Sequence, residues 1–251
     1  MRNTFADEIF QLATVDPRIV LLSGDIGNRL FDSFKQKFPH RFYNCGIAEA
    51  NMTSLAAGLG MCGLLPITYT IAPFNTIRCL EQIRIDICYH QVPAIIVGTG
   101  AGLSYASLGA THCSCDDIAL LKSIPNMTVL CPADSFELKR LLHQSLSWNS
   151  PIYLRIGKKG EPMCYKEIPN LTIGKGHVFQ KGKDICLITT GNTLSIAMEV
   201  AKKLEACALF PQIVSMHTVK PLDTALLGTL AKEFSLLVSI EEHSLIGGLG
   251  S

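Results

Sequence analysis

The 251 residues are 48% hydrophobic and 17% charged, with 22 basic side chains against 21 acidic ones. That balance excludes a disordered chain, offers no basic field to nucleic acid or anionic lipid, and leaves no charge run for an interaction tail. The length suits one large domain or two smaller ones, and so apolar a composition points to surface buried against another subunit.

The chain opens on an amphipathic helix, Thr4 to Ala13, with no signal peptide, and no apolar run approaches the roughly 18 residues of a membrane span. Ile19 to Leu22 reads as a strand ending at Ser23-Gly24-Asp25, Phe42 to Asn44 as a short extended piece, and Asn51 to Leu59 as a helix. Leu65 to Tyr69 is a strand and Asn75 to Tyr89 a long amphipathic helix. Ala94 to Val97 is a strand leading into a loop, Gly98 to Gly109. Asp117 to Lys122 (helix), Thr128 to Cys131 (strand), Ser135 to Ser147 (helix) and Ile152 to Arg155 (strand) follow. Apolar rather than alternating strands, each flanked by helices, predict an α/β fold with a parallel sheet covered on both faces and its functional groups after the strand ends.

From Gly157 to Gly176 the chain carries lysines and prolines without a helical period, which predicts a linker. The expected division is residues 1–160, a linker over 161–176, and a second α/β domain over 177–251. That domain repeats the scheme with Ile185 to Thr190, Thr193 to Leu204, Gln212 to Met216 and Leu236 to Ile240. The sequence stops at Gly247-Gly248-Leu249-Gly250-Ser251, a glycine-rich turn that should precede a helix, so the second domain is expected to be incomplete. Ten dispersed cysteines, several inside strand or helix patterns (Cys88, Cys186, Cys207), read as free thiols in a reducing, cytoplasmic setting. His112 with Cys113 and Cys115 lacks a second ligand pair at zinc-site spacing, so no metal site is expected in this chain.

Gly46-Ile47-Ala48-Glu49-Ala50-Asn51 places a carboxylate at the mouth of a helix that carries no other charge. Such a group is either a half-exposed acid favoured by the helix dipole or a buried functional acid that needs a partner. Phe74 lies four residues before Arg78, in helical register, ahead of Glu81-Gln82. His112 closes the glycine-bearing stretch Gly109-Ala110-Thr111-His112, and Glu241-Glu242-His243-Ser244-Leu245-Ile246-Gly247-Gly248-Leu249-Gly250-Ser251 ends the chain.

In this order and spacing, the four segments resemble the transketolase family, thiamine diphosphate enzymes that include the deoxyxylulose-phosphate synthases. The resemblance runs from Ser23 to Ser251. It implies the pyrimidine-binding domain followed by most of the C-terminal domain; the family's Gly-Asp-Gly metal and diphosphate motif is not found in this sequence. The resemblance therefore implies the small subunit of a split enzyme. The partner would be a diphosphate-binding N-terminal subunit carrying the Mg2+ ligands. The assembly would be a homodimer of this chain within a heterotetramer, moving a two-carbon ketol unit between phosphorylated sugars.

Glu49 falls on the family's glutamate, whose hydrogen bond to the pyrimidine N1' favours the imino tautomer that activates the thiazolium carbon. A carboxyl group that shares a proton with a ring nitrogen is helped by burial. The resemblance makes Phe74 the pyrimidine-stacking aromatic, and Arg78 a structural or interface arginine beside it, counted with the cofactor-binding residues rather than the catalytic ones. His112 becomes the substrate-facing imidazole, catalytic and substrate-binding at once. It also makes Arg155 the phosphate-proximal arginine and Asp25 a loop acid near the substrate channel. Each has a structural alternative in the residues alone: Phe74 as core, Arg155 as an interface ion pair, and Asp25 as an Asx turn before Gly27-Asn28. Two departures stand out: Leu108 where many transketolases have an aspartate that contacts a sugar hydroxyl, and Cys113 where glutamine is common. A 1-deoxyketose-phosphate synthase, an alpha-keto acid dehydrogenase-like component, and a non-catalytic regulatory homologue remain alternatives.

Overall fold

A computed structural model describes residues 1–27 and 29–251. The first half is built as expected from apolar strands alternating with helices. In order it contains α1 (Arg2–Val15), β1 (Ile19–Ser23), α2 (Asp32–Lys37), β2 (Phe42–Asn44), α3 (Glu49–Met61) and β3 (Leu65–Ile71). Next come two single-turn 3-10 pieces, Ala72–Phe74 and Ile77–Cys79, then α4 (Leu80–Gln82), which passes into a π-helix at Ile83–Tyr89. β4 (Ile95–Thr99), α5 (Asp117–Ser123), β5 (Thr128–Leu130), α6 (Ser135–Ser145) and β6 (Ile152–Ile156) complete it. Strands β2, β1, β3, β4, β6 and β5 lie side by side in that order and all run parallel.

The central strands β1, β3, β4 and β6 are buried along their whole length because both faces of the sheet are covered. Ile67, Tyr69, Val97 and Leu154 pack with Phe5 and Ile9 of α1 and Leu141 of α6. Ile96, Tyr153 and Val129 turn the other way, onto Ile83 and Ile87 of the π-helix and Ile118 of α5. Tyr69 is gripped by Phe5, stacked at 5.5 Å, and by Phe31, edge-on at 4.8 Å; contacts of this kind are worth about 0.5–1.5 kcal/mol each beyond area burial.

The single long helix expected over Asn75 to Tyr89 is not formed. Pro73 starts a tight turn, and the buried Asn75 donates its side-chain amide to Val97 O at 2.9 Å and to Thr68 Oγ1 at 3.1 Å. Those bonds tie the chain to the middles of β3 and β4, and a side chain that bonds strand backbone competes with helix propagation. Regular helix starts only at Leu80, and the π-helix that follows widens the turn over the core.

No helix or strand lies between Ile156 and His177. Beyond this connection are β7 (His177–Gln180), β8 (Cys186–Thr189), α7 (Leu194–Glu205), β9 (Gln212–Ser215), β10 (Thr218–Lys220), α8 (Thr224–Glu233) and β11 (Leu237–Ile240). The second sheet runs β11-β8-β9-β7, with β7 antiparallel on its edge. β10 does not join it. It crosses back to pair antiparallel with β5, so the second half of the chain supplies the seventh strand of the first sheet.

A buried polar cluster seals the two halves. Glu137 of α6 accepts from Ser215 Oγ of β9, from Tyr165 Oη in the connection and from Ala133 N, all at 2.7 Å. Burial outweighs these three donors and pushes the carboxyl up to about 7. His217, buried just past β9, is pulled down to about 4 by burial, with His177 adding to the effect. The two act in opposite senses. An acid whose folded pKa is raised binds a proton on folding, so Glu137's contribution falls as pH climbs from 4.5 to about 7. A histidine whose folded pKa is lowered releases one, so His217's contribution rises between about 4 and 6.5. Each is worth roughly 3 kcal/mol across its window. In urea unfolding, Glu137→Gln should therefore gain stability relative to the parent by up to ~3 kcal/mol between pH 4.5 and pH 7. A difference independent of pH would show that Glu137 is ionised throughout.

Candidate active site

Because β1, β3, β4 and β6 are parallel, the segments after Ser23, Ile71, Thr99 and Ile156 emerge on one edge of the sheet, where sites of doubly wound folds lie. Glu49 reaches the same edge from the first turn of α3. Its side chain is only 4% exposed, and Oε2 accepts from Arg78 Nη1 at 2.9 Å. The otherwise uncharged helix thus buries its single carboxylate against a cation whose side chain is 44% exposed. This is the partner that a buried acid requires.

The same guanidinium lies over the ring of Phe74, with Cζ 4.1 Å from the ring centroid. Phe74 can present its face because the chain is still in the tight turn that precedes regular helix. On another side it meets His112, whose imidazole stands edge-on with ring centroids 5.0 Å apart. His112 Nδ1 bonds Thr111 Oγ1 at 2.9 Å, which leaves Nε2 as the second proton-carrying position. Four residues named from the sequence, Glu49, Arg78, Phe74 and His112, are therefore brought into one continuous line.

The line continues through two residues that sequence reasoning did not name. Tyr105 stands 6.2 Å from the His112 ring, and Lys158 Nζ sits 4.2 Å above Tyr105. A Cβ at Gly100, which has φ +66°, would collide with the Tyr105 ring, so only glycine allows this packing. The spacing Gly98-Thr99-Gly100-Ala101-Gly102 at a strand end was the available signal.

Two expected site residues stand elsewhere. Asp25 is exposed, and its Oδ1 accepts from Gly27 N at 3.3 Å, the Asx-turn geometry; Asn28, named with that turn, lies outside the described residues. Arg155 requires a correction. Rather than reaching toward a substrate tail, its side chain is 4% exposed, and Nε donates to Asp117 Oδ2 at 2.8 Å. Nη2 donates to Ser114 O at 3.2 Å and Glu242 O at 2.9 Å. Burial opposes its charge, but the Asp117 carboxylate outweighs burial and holds the guanidinium more firmly protonated than usual. Tyr153 Oη shares the same carboxylate oxygen at 2.7 Å.

The chemistry of the set fits the pyrimidine half of thiamine diphosphate. The Arg78 guanidinium, a flat N–H donor, rests against Phe74 while bonding Glu49; an aminopyrimidine protonated at its ring nitrogen is a flat N–H donor of the same kind and would take that seat as the half-exposed guanidinium withdraws to the rim. Among the described residues, no group of three His, Cys, Asp or Glu side chains is placed to hold a metal ion.

Residues 1–161 match the transketolase pyrimidine binding domain and residues 174–251 the transketolase C-terminal domain, so the chain belongs to the transketolase family. Split-gene members of the family are among the proteins it is similar to. A solved structure described as a split gene transketolase, inactive beta4 tetramer, superimposes with a TM-score of 0.92 at 36% identity, covering 99% of this chain and 81% of that one. An apulose-4-phosphate transketolase subunit of Phocaeicola vulgatus is 31% identical over 252 residues, covering 100% of this chain and 81% of that protein. A 6-deoxy-6-sulfo-D-fructose transketolase subunit of Clostridium sp. (strain MSTE9) is 32% identical over 252 residues, covering 100% of this chain and 78% of that protein. Membership of this family implies dependence on thiamine diphosphate in the assembled enzyme.

Proposed function

We propose that this chain supplies the pyrimidine-binding half of an active site completed by a diphosphate-binding transketolase subunit. The observation that carries the reading is the unbroken line Glu49, Arg78, Phe74, His112 at the carboxyl edge of a parallel sheet. Glu49 would hold the pyrimidine nitrogen and its proton, and Phe74 would carry the ring and keep water from one face. Arg78 would balance the buried carboxylate from the rim. When bound, the cofactor supplies the carbon that accepts the two-carbon unit, while its diphosphate and Mg2+ are held by the partner. His112 would donate to the carbonyl oxygen of the ketose as charge develops there. The assembly would be a heterotetramer around a homodimer of this chain, in a reducing cytoplasm that would keep the ten dispersed cysteines as thiols.

The substrate would be a ketose with an anionic tail, a sugar phosphate or an acid of similar charge. Support comes from Lys158, a half-buried ammonium beyond His112 and Tyr105, and from the relatives named for a sugar phosphate and a sulfonated sugar. Leu108, 53% exposed in the same loop, offers no acceptor for a sugar hydroxyl. The test is reconstitution with the diphosphate-binding subunit and steady-state assay on phosphorylated, sulfonated and neutral ketose donors, with pyruvate as the discriminator of a synthase. Turnover of pyruvate with no ketose transfer would overturn the ketol-transfer reading. In the same assay Lys158→Met should raise KM for anionic-tailed substrates by about 10- to 100-fold, the scale of one charge-assisted hydrogen bond, and spare neutral analogues.

A further inference from the structure

The loop that carries Tyr105 and His112 is held at its base from the second domain. Its two ends meet at Gly102 and Ser114, which exchange backbone hydrogen bonds at 3.0 and 2.9 Å. On the outgoing side, Leu103 N donates to Glu242 Oε1 at 3.1 Å, and Asn192 Nδ2 reaches the other carboxylate oxygen at 3.4 Å. On the returning side, Ser244 N donates to Cys115 O at 2.8 Å. One nitrogen of Arg155 ties both sides together by donating to Ser114 O and to Glu242 O. Gly102 has φ +65°, and a Cβ there would collide with Glu242 Oε2, so the glycine lets the carboxylate close against loop backbone.

From this we infer that Glu242 is a positioning residue: through Leu103 and Gly102, the second domain fixes the loop that sets the reach of His112. The inference rests on the reading that His112 faces substrate. A loop anchored by backbone bonds alone at Gly102 and Ser114 could pivot about them. The carboxylate removes that pivot, and displacement of a reacting group by about 1 Å is enough to lower rate on the order of 100-fold.

Backbone hydrogen exchange read by mass spectrometry tests the anchor without reference to activity, and steady-state kinetics of the assembled enzyme on its best ketose donor test its consequence. In Glu242→Ala, exchange over residues 102–114 should accelerate at least tenfold. kcat should fall by about 10- to 100-fold, with a smaller change in KM. Glu242→Gln keeps a carbonyl oxygen for Leu103 N and should restore most of both. Gly102→Ala attacks the same contact from the loop side and should reproduce Glu242→Ala, which keeps the test decisive if one variant folds poorly. Unchanged exchange in Glu242→Ala and Gly102→Ala overturns the anchor. Faster exchange with unchanged kcat overturns the positioning role. A parallel His112→Ala variant then separates the two failures: if it too is silent, the substrate-facing reading of the loop has failed, and if it is impaired, only the role of Glu242 has.

Discussion

Glu49→Gln should lower turnover of the assembled enzyme by about two to four orders of magnitude while leaving the chain folded and able to meet its partner. The amide preserves the shape of the carboxylate and can still accept from Arg78 Nη1, so the packing at the mouth of α3 is kept. Arg78 is 44% exposed and can turn its charge to water once the acid is gone, so no buried cation is stranded. What the amide cannot do is exchange a proton with a ring nitrogen. The change therefore isolates proton handling from stability. Circular dichroism during thiamine diphosphate titration of the assembled enzyme reads the imino tautomer directly, and that signal should disappear in the variant. An imino signal and a turnover equal to the parent's would remove Glu49 from the proton path.

The parallel strands were legible because each has to be apolar on both faces: Ile19 to Leu22, Leu65 to Tyr69 and Ile152 to Arg155 could be read as buried strands without any tertiary information. Glu49, Phe74 and His112 were legible because each sits in a short local motif, and their approach to one another follows once the strand ends share an edge. The unreadable features depend on contacts distant in sequence. Asn75 breaks the expected helix by bonding Val97, 22 residues away. β10 has only Thr218-Val219-Lys220 to announce it, and its partner β5 belongs to the other half of the chain. Helix α8 did leave a local sign: Asp223 caps it through Leu226 N, ahead of a run of leucines. The Glu241 to Ser251 motif gives no local sign of its hold on the loop between Gly102 and Ser114, which becomes visible only when Leu103 and Cys115 are found against it.

Arg155→Ala should destabilise the chain by about 3–5 kcal/mol, and whatever activity remains should fall equally on phosphorylated and neutral substrates. An arginine at a strand end looks the same in sequence whether it faces a phosphate or a carboxylate. The deciding residue, Asp117, lies 38 positions away and is itself completely buried. Asp117 Oδ1 has no hydrogen-bond partner among the described residues, so removing the guanidinium leaves Tyr153 Oη alone to satisfy the acid. A charge abandoned in that setting is far more costly than the pair was favourable. Replacing both partners together, Arg155→Met with Asp117→Leu, should recover a good part of the loss, because no buried charge is then left unpaired. Urea unfolding of the parent, the two single variants and the double variant closes the cycle. The kinetic arm uses a phosphorylated ketose and its neutral analogue in the reconstituted enzyme. A stable Arg155→Ala chain that loses affinity only for the phosphorylated ketose would return the guanidinium to the substrate tail and leave Lys158 without a role there.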